Sequence, residues 1–197
     1  MTQATDMDEV NVALVGDSIR LHAEPFVRRS LPSRFKLRSP TVNGKSSDCV
    51  AAGIRDWIPP GTADIVHLNC GLHDIRRDPG QRRPRISPTE YIANLRQVFE
   101  YLAATGACVI WATSTPVREA LDEPIDSPRW HQADLVRYNR LSVELALGFG
   151  FRVNDLHGRL SEAPVDALLM PDGVHFNHAG NALIGRQVAA AIRACRP

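Results

Sequence analysis

The sequence lacks the features that mark membrane-spanning and nucleic-acid-binding proteins. It contains no apolar run of the ~20 residues that a bilayer-spanning helix needs. Residues 1–9 are polar and acidic, whereas a signal peptide places a basic segment before an apolar one. The formal net charge at pH 7 is only +1, so no general field attracts nucleic acid or an anionic membrane. We therefore expect a cytoplasmic protein with no nucleic-acid partner and no membrane partner.

Nucleotide-binding loops are also missing. No apolar run is followed by G-x-G-x-x-G or G-x-x-x-x-G-K-[ST], the patterns whose backbone N–H groups cradle phosphates. This absence argues against a dinucleotide site and against a P-loop site. We expect no cofactor.

Cysteine and metal-binding patterns are sparse as well. The four cysteines, Cys49, Cys70, Cys108 and Cys195, are scattered and show no C-x-x-C spacing. Because their surroundings are mostly apolar, we interpret them as reduced residues in or near the core. His67, Cys70 and His73 do not predict a metal site, since His67 on a strand points to the opposite face from Cys70.

The sequence does contain a regular alternation of short apolar runs and amphipathic stretches. The candidate strands cover residues 10–15, 35–38, 63–69, 107–112 and 151–153. The amphipathic stretches predict helices over 19–29, through 50 to 57, from 88 to the turn at 106, over 135–147 and over 181–194. This alternation predicts a parallel sheet covered on both faces by right-handed crossovers. At 197 residues we expect one domain, 1–197, with residues 1–9 flexible.

The turn that ends the first strand, Gly16-Asp17-Ser18, stands where an open α/β sheet binds ligands. Ser18 would lie at the carboxyl end of a buried strand and at the amino end of a helix. Backbone N–H groups there favour developing negative charge, so Ser18 could be a nucleophile with an oxyanion site beside it. The same residues also suit a simple helix cap, and the stretch alone leaves both interpretations open.

A second segment, Met170-Pro-Asp-Gly-Val-His-Phe-Asn177, precedes the last helix. An acid three residues before a histidine can accept a hydrogen bond from one imidazole nitrogen while the other nitrogen faces a cleft. Asp172 and His175 would then form the orienting and base members of a hydrolytic triad. Taken alone, they also fit a turn with a surface histidine.

Two irregular loops follow the carboxyl ends of strands. The first, from Ile75 to Ile86, carries Arg76 among five arginines, which form either a solvated face or a grip on an anionic or sugar-like substrate. The second, from Val117 to Trp130, is longer than most connections. Trp130 either lines a substrate cleft or closes over the core. We expect both loops to wall the cleft.

These segments together resemble the SGNH (GDSL-type) hydrolases over nearly the whole chain. Gly16-Asp17-Ser18 is similar to the first block with its nucleophile, and Asp172-Gly-Val-His175 is similar to the fifth, D-x-x-H. Asn43-Gly44 is similar to the second block, whose glycine supplies a backbone donor. Gly71-Leu72-His73-Asp74 occupies the third block, G-x-N-D, so the chain resembles a subgroup with GLHD at that point.

The resemblance implies a flavodoxin-like three-layer α/β/α sandwich with a parallel five-stranded sheet in the order 2-1-3-4-5. It also implies that Ser18 attacks an ester carbonyl, His175 moves the proton and Asp172 orients His175. The oxyanion hole would consist of the N–H groups of Ser18 and Gly44, with His73 in place of the family's asparagine donor. His73 could instead only fill the loop.

The expected function is that of a serine esterase that acts on small-molecule or saccharide esters, including acetyl groups on a carbohydrate. An acyltransferase or a thioesterase would use the same triad and differ only in the acceptor. A non-catalytic carbohydrate- or ligand-binding module on the same fold is the alternative from another class. The presence of Ser18, Asp172 and His175 argues against that module.

Overall fold

The protein is represented by a computed structural model that describes residues 9–119 and 127–195. Of the segment expected to be flexible, residues 1–8 lie outside the described residues, and so do 120–126 of the second loop.

Five parallel strands form one sheet in the order β2-β1-β3-β4-β5, as the resemblance implied. The strands are β1 (Val10–Val15), β2 (Phe35–Leu37), β3 (Ile65–Leu68), β4 (Cys108–Ala112) and β5 (Arg152–Asn154). β1 pairs with β2 through Val12 and Leu37, and with β3 through Val12 and Ile65. The strand order therefore reverses at β1, and the carboxyl end of β1 lies at the position where such sheets bind ligands.

Eight helices accompany the sheet in the described part of the chain. They are α1 (Ser18–Ser30), α2 (Ser47–Trp57), α3 (Leu72–Ile75), α4 (Pro88–Ala103), α5 (Gln132–Gly148), α6 (Leu156–Ser161), α7 (Val165–Leu168) and α8 (His178–Ala194). α1 packs on α8, whereas α2 packs on α4 and α4 packs on α5. Right-handed crossovers place these two groups on opposite faces of the sheet.

The core lies on both faces of the central strands. Val12, Leu14, Ile65 and Leu68 are fully buried, as the near-continuous apolar runs of β1 and β3 predict. The helices α1 and α8 come close together at Gly185 of α8, where an added Cβ would come within 2.4 Å of the Cβ of Phe26. Glycine at this position lets α1 and α8 approach each other.

The structure corrects the prediction that all four cysteines are reduced. Cys108 and Cys195 form a disulfide that joins the start of β4 to the end of α8. Cys49 and Cys70 are free, as predicted. The bridge lies at the amino edge of the sheet, because Cys108 is the first residue of β4.

Within residues 9–119 and 127–195, none of the helices has the length and the apolar character that crossing a membrane requires.

Candidate active site

Ser18 is the first residue of α1 and follows directly on the turn that ends β1. Asp17 caps this helix, because its Oδ1 accepts a hydrogen bond from the N–H of Ile19 at 3.0 Å. Gly16 is required beside it, since a Cβ there would lie 2.1 Å from Oδ1 of Asn69. The tight turn therefore brings the hydroxyl of Ser18 and the first N–H groups of α1 to the carboxyl edge of the sheet.

A relay of hydrogen bonds joins Ser18 to the segment before α8. Oγ of Ser18 lies 2.9 Å from Nε2 of His175. Nδ1 of His175 lies 2.7 Å from Oδ2 of Asp172. The other carboxylate oxygen of Asp172 accepts from the N–H groups of Val174 at 3.0 Å and His175 at 2.9 Å. The fold thus brings Ser18 together with Asp172 and His175, although 157 positions separate Ser18 from His175 in the sequence.

The turn that carries His175 is held by backbone hydrogen bonds. The N–H of Met170 donates to the carbonyl of His175 at 2.7 Å, and the N–H of Arg118 donates to the carbonyl of Gly173 at 2.7 Å. Gly173 has φ 71°, a conformation that favours glycine. Asn177 then caps α8 by accepting from the N–H of Gly180 at 3.1 Å. His175 is therefore positioned by a braced turn and a capped helix.

Hydrogen bonds determine the charge of the Asp172 carboxyl. Partial burial acts to raise the pKa of Asp172, but the N–H groups of Val174 and His175 and the His175 ring outweigh it. The pKa of Asp172 consequently lies below its ordinary value. Asp172 is an anion at neutral pH, which suits an imidazole whose proton must sit on Nδ1.

Ser18 and His175 open into a pocket of about 300 Å³. Its other lining residues are Asp17, Asn43, Leu72, His73, Arg76, Trp130 and Val174. Trp130 also donates from Nε1 to the carbonyl of Leu72 at 2.8 Å and packs against the core. The structure therefore brings His73, Arg76 and Trp130 to the pocket beside Ser18, and Trp130 both lines the pocket and contacts the core.

His73 and Asp17 influence each other's charge within this pocket. Burial lowers the pKa of His73; the carboxyl of Asp17 opposes this shift, and Arg76 and Arg85 add to it. Burial raises the pKa of Asp17, although His73 and the N–H of Ile19 oppose the rise. His73 is therefore neutral at neutral pH and has one ring N–H to donate.

The geometry at Gly44 contradicts its expected role. Its N–H donates to the carbonyl of Gly16 at 2.9 Å, and Gly44 does not line the pocket. A backbone N–H that already has a partner cannot point at an oxyanion without breaking that bond. Gly44 instead holds the loop against the turn before Ser18, because a Cβ there would lie 3.0 Å from the Gly16 carbonyl oxygen.

The neighbouring Asn43 is a residue that sequence reasoning missed. Asn43 lines the pocket, and its Oδ1 accepts from the N–H of Lys45 at 2.9 Å. Because this bond needs an acceptor, it identifies the oxygen of the Asn43 amide, and the other atom is therefore the Nδ2 donor group. Nδ2 has no hydrogen-bond partner among the residues that the structure describes. The only sequence signal was its position beside Gly44.

Asp74 braces the loop beneath His73. Its carboxyl accepts from the N–H of Ser47 at 3.0 Å and from the Ser47 hydroxyl. Burial raises the pKa of Asp74 to about 7, and the Ser47 donors oppose the rise. Asp74 thus joins the start of α2 to α3, the single turn that presents His73.

Comparisons with known proteins identify the family and the fold of the chain. The model of the GDSL-like Lipase/Acylhydrolase family matches residues 14–183. No curated protein gives a significant match. Several solved structures share the fold at low identity.

A lipase/acylhydrolase from Enterococcus faecalis is 17% identical, covers 95% of this chain and 96% of its own, and gives a TM-score of 0.75. An acetylxylan esterase from Geobacillus stearothermophilus is 16% identical, covers 94% of each chain, and gives a TM-score of 0.69. The acetyl xylan esterase AlAXEase is 16% identical, covers 93% of this chain and 100% of its own, and gives a TM-score of 0.72. At these identities the likeness shows a common fold.

Proposed function

The chain belongs to the GDSL-like lipase/acylhydrolase family, and from that premise we propose that it is a serine esterase that hydrolyses carboxylic esters. The observation that carries the proposal is the relay from Ser18 Oγ to His175 Nε2 at 2.9 Å and from His175 Nδ1 to Asp172 at 2.7 Å. The chain would belong to the subgroup in which Gly71-Leu72-His73-Asp74 stands for G-x-N-D.

In the proposed reaction, Ser18 Oγ attacks the ester carbonyl while Nε2 of His175 takes the hydroxyl proton. Asp172 keeps the imidazole proton on Nδ1 and stabilises the imidazolium that forms. His175 then gives its proton to the leaving alcohol, which leaves an acyl group on Ser18. Water attacks this acyl-enzyme with His175 as the base, and the acid leaves with Ser18 restored.

We assign three donors to the oxyanion. The N–H of Ser18 begins α1, where the helix dipole also favours negative charge. His73, whose ring is neutral, and Asn43, whose Nδ2 group has no other partner among the described residues, line the same pocket. In this assignment Asn43 replaces Gly44 as the oxyanion donor, because the Gly44 N–H donates to the carbonyl of Gly16.

The acyl group would be small, such as acetyl, and the alcohol part would be a carbohydrate or a similar polar molecule. Support comes from the pocket of about 300 Å³ and from two structural neighbours that are named acetylxylan esterases. We expect 4-nitrophenyl acetate to be hydrolysed with a higher kcat/KM than the octanoate. An equal or reversed preference would assign the enzyme to longer acyl chains.

An acyltransferase with the same triad is the second candidate. His175 and Trp130 are partly exposed at the pocket, and this exposure would give an alcohol acceptor access to the acyl-enzyme. Adding acetylated and free xylose to the assay separates the two reactions, because a transferase moves acetyl between sugars while a hydrolase releases acetate.

The proposed function is tested with a fluorophosphonate probe and 4-nitrophenyl acetate. The probe should label the wild type and not Ser18→Ala, and kcat should fall by roughly 10⁴-fold or more in Ser18→Ala. Ser30→Ala, at the other end of α1, is the matched control and should behave as the wild type. Hydrolysis that survives Ser18→Ala at the wild-type rate would show that Ser18 is not the nucleophile.

A further inference from the structure

The loop between α3 and α4 concentrates positive charge beside the pocket. This arginine loop, residues 76–86, contains five arginines and one acidic residue, Asp78, although the whole chain has a net charge of only +1. The charge is therefore gathered at one place on the carboxyl edge of the sheet.

Ion pairs neutralise only part of this charge. Arg77 binds Asp134 of α5 at 2.7 Å. Arg76 and Arg85 share Asp78: Nε of Arg76 donates to Oδ1 at 2.9 Å, and Nε of Arg85 lies 3.5 Å from Oδ2. Within residues 9–119 and 127–195, the exposed Arg82 and Arg83 have no carboxylate partner. One carboxylate thus offsets two guanidinium groups next to the pocket.

Backbone hydrogen bonds fix the loop in place. The N–H of Arg85 donates to the carbonyl of Arg76 at 3.0 Å, and the N–H of Ile86 donates to the carbonyl of Asp74 at 3.1 Å. Arg77 and Arg129 exchange two N–H to carbonyl bonds at 2.9 and 3.0 Å. Arg76 is therefore held on a braced loop, which lowers the entropic cost of binding a ligand.

Arg76 lies at the pocket that contains Ser18. It lines the same pocket as Ser18 and His175, and its side chain is only 28% exposed. Its Nε and Nη2 contact Asp78, whereas its Nη1 has no acceptor among the described residues. Among the described residues, Asp17 is the acidic residue that lines this pocket, and burial raises its pKa.

We propose that the ester substrate carries a carboxylate or phosphate group on its alcohol part, and that Arg76 binds this group while the acyl carbonyl lies at Ser18. The inference rests on the proposed esterase function and adds the charge of the substrate. A guanidinium fork matches two oxygens of one anion, a geometry that a neutral acetylated sugar does not use. When part of the Arg76 guanidinium group binds the substrate, Arg85 remains paired with Asp78.

The test compares esters that differ only in charge. The carboxylate probes are 3- and 4-acetoxybenzoate, their neutral counterparts are 3- and 4-acetoxybenzamide, and 4-acetoxyphenyl phosphate is the phosphate probe. For at least one anionic ester, we expect kcat/KM to exceed that of its neutral counterpart by roughly 10–100-fold, the size of a charged hydrogen-bond pair. The probe with the larger advantage identifies the anion as carboxylate or phosphate. The advantage should shrink with added KCl.

Variants of Arg76 assign the effect to this residue. Arg76→Gln should remove most of the anionic advantage, and Arg76→Lys should keep part of it because the charge remains. Arg159→Ala is the control, since Arg159 is exposed on α6 and pairs with Glu162 outside the pocket. An anionic advantage that is absent in the wild type, or unchanged in Arg76→Gln, would overturn the proposal.

Binding to Ser18→Ala separates this proposal from the esterase function. Calorimetry on Ser18→Ala should show 4-acetoxybenzoate or 4-acetoxyphenyl phosphate binding more tightly than 4-acetoxybenzamide, with the difference lost in Ser18→Ala/Arg76→Gln. Anion binding without hydrolysis by the wild type would retain the Arg76 site and reject the esterase. Hydrolysis of all the esters at equal rates, with equal binding, would retain the esterase and reject the Arg76 site.

Discussion

His73 occupies the position where the third block of the family has asparagine, and it lines the pocket together with Ser18. Because burial lowers its pKa, the ring is neutral and offers one N–H. We expect His73→Ala to lower kcat by roughly 10²–10³-fold with little change in KM, as the loss of one oxyanion donor does.

His73→Asn distinguishes a donor from a side chain that only fills the loop. The amide restores an N–H at similar reach, so it should recover part of the lost kcat. A folded His73→Ala protein with the wild-type kcat would remove His73 from the oxyanion hole.

Asn43 allows a sharper separation of structure and chemistry. Asn43→Asp keeps the oxygen that accepts from the Lys45 N–H, so the turn should persist, but it removes both N–H donors. We expect Asn43→Asp and Asn43→Ala each to lower kcat by roughly 10²-fold, with the melting temperature of Asn43→Asp close to that of the wild type. If Asn43→Asp retains its kcat and only Asn43→Ala loses activity, Asn43 serves the turn alone.

At the scale of residues, the sequence predicts side chains better than backbone donors. The spacing of Asp172 and His175 within one turn limits where their side chains can meet, and the structure brings both to Ser18. Gly44 failed as a prediction because the direction of an N–H depends on the loop's whole path, which here ends at the Gly16 carbonyl. Asn43 is the exception among the side chains: it was missed because its place at the pocket depends on the path of this same loop.

At the scale of elements, the helix cap behind His175 should affect both stability and activity. Asn177 accepts from the N–H of Gly180 at 3.1 Å and donates from Nδ2 to the carbonyl of Ala167 at 2.8 Å. We expect Asn177→Ala to destabilise the protein by about 1 kcal/mol, the usual cost of losing a cap, and to lower kcat because His175 lies two residues before it. Urea unfolding and steady-state kinetics measure the two effects.

Ser87→Ala is the control for this prediction. Ser87 caps α4 through a reciprocal pair with Glu90, so its loss should also cost about 1 kcal/mol. α4 contributes no side chain to the pocket, and kcat should stay at the wild-type value. Equal kcat values in Asn177→Ala and Ser87→Ala would mean that the cap of α8 does not position His175.

The long elements were predictable and the single turns were not. α4 begins at the Ser87 cap that the sequence indicates, and β1 covers the predicted residues 10–15. The helices α3, α6 and α7 have only four to six residues, too few to show a helical period. α8 begins at His178 rather than at residue 181, because Asn177 caps it before the apolar stripe starts.

At the scale of the molecule, the strand order is confirmed, but it came from the resemblance to a family and not from periodicity. Alternating strands and helices fit several orders of a parallel sheet. The disulfide between Cys108 and Cys195 is equally non-local, since it joins residues 87 positions apart at the edge away from the site. Pairings of this kind depend on the complete fold.

Global stability should depend on the pH through one buried histidine. His67 of β3 is 2% exposed, and its Nε2 lies 3.0 Å from Nδ2 of Asn154. Oδ1 of Asn154 accepts from Gln187 at 3.0 Å, so Nδ2 is the donor and Nε2 of His67 must be unprotonated. Burial accordingly lowers the pKa of His67 from 6.5 to about 4.

Between these two pKa values the unfolded chain binds more protons than the native protein, so this contribution to stability is complete above pH 6.5 and is lost as the pH falls towards 4. The loss amounts to about 3 kcal/mol.

His67→Gln keeps an acceptor for Asn154 and cannot titrate, so the stability difference between wild type and variant should shift by that amount in the variant's favour between pH 7 and pH 4. Urea unfolding of both proteins at several pH values measures the shift. A difference that stays constant would mean that His67 binds its proton equally well in the folded and unfolded chains.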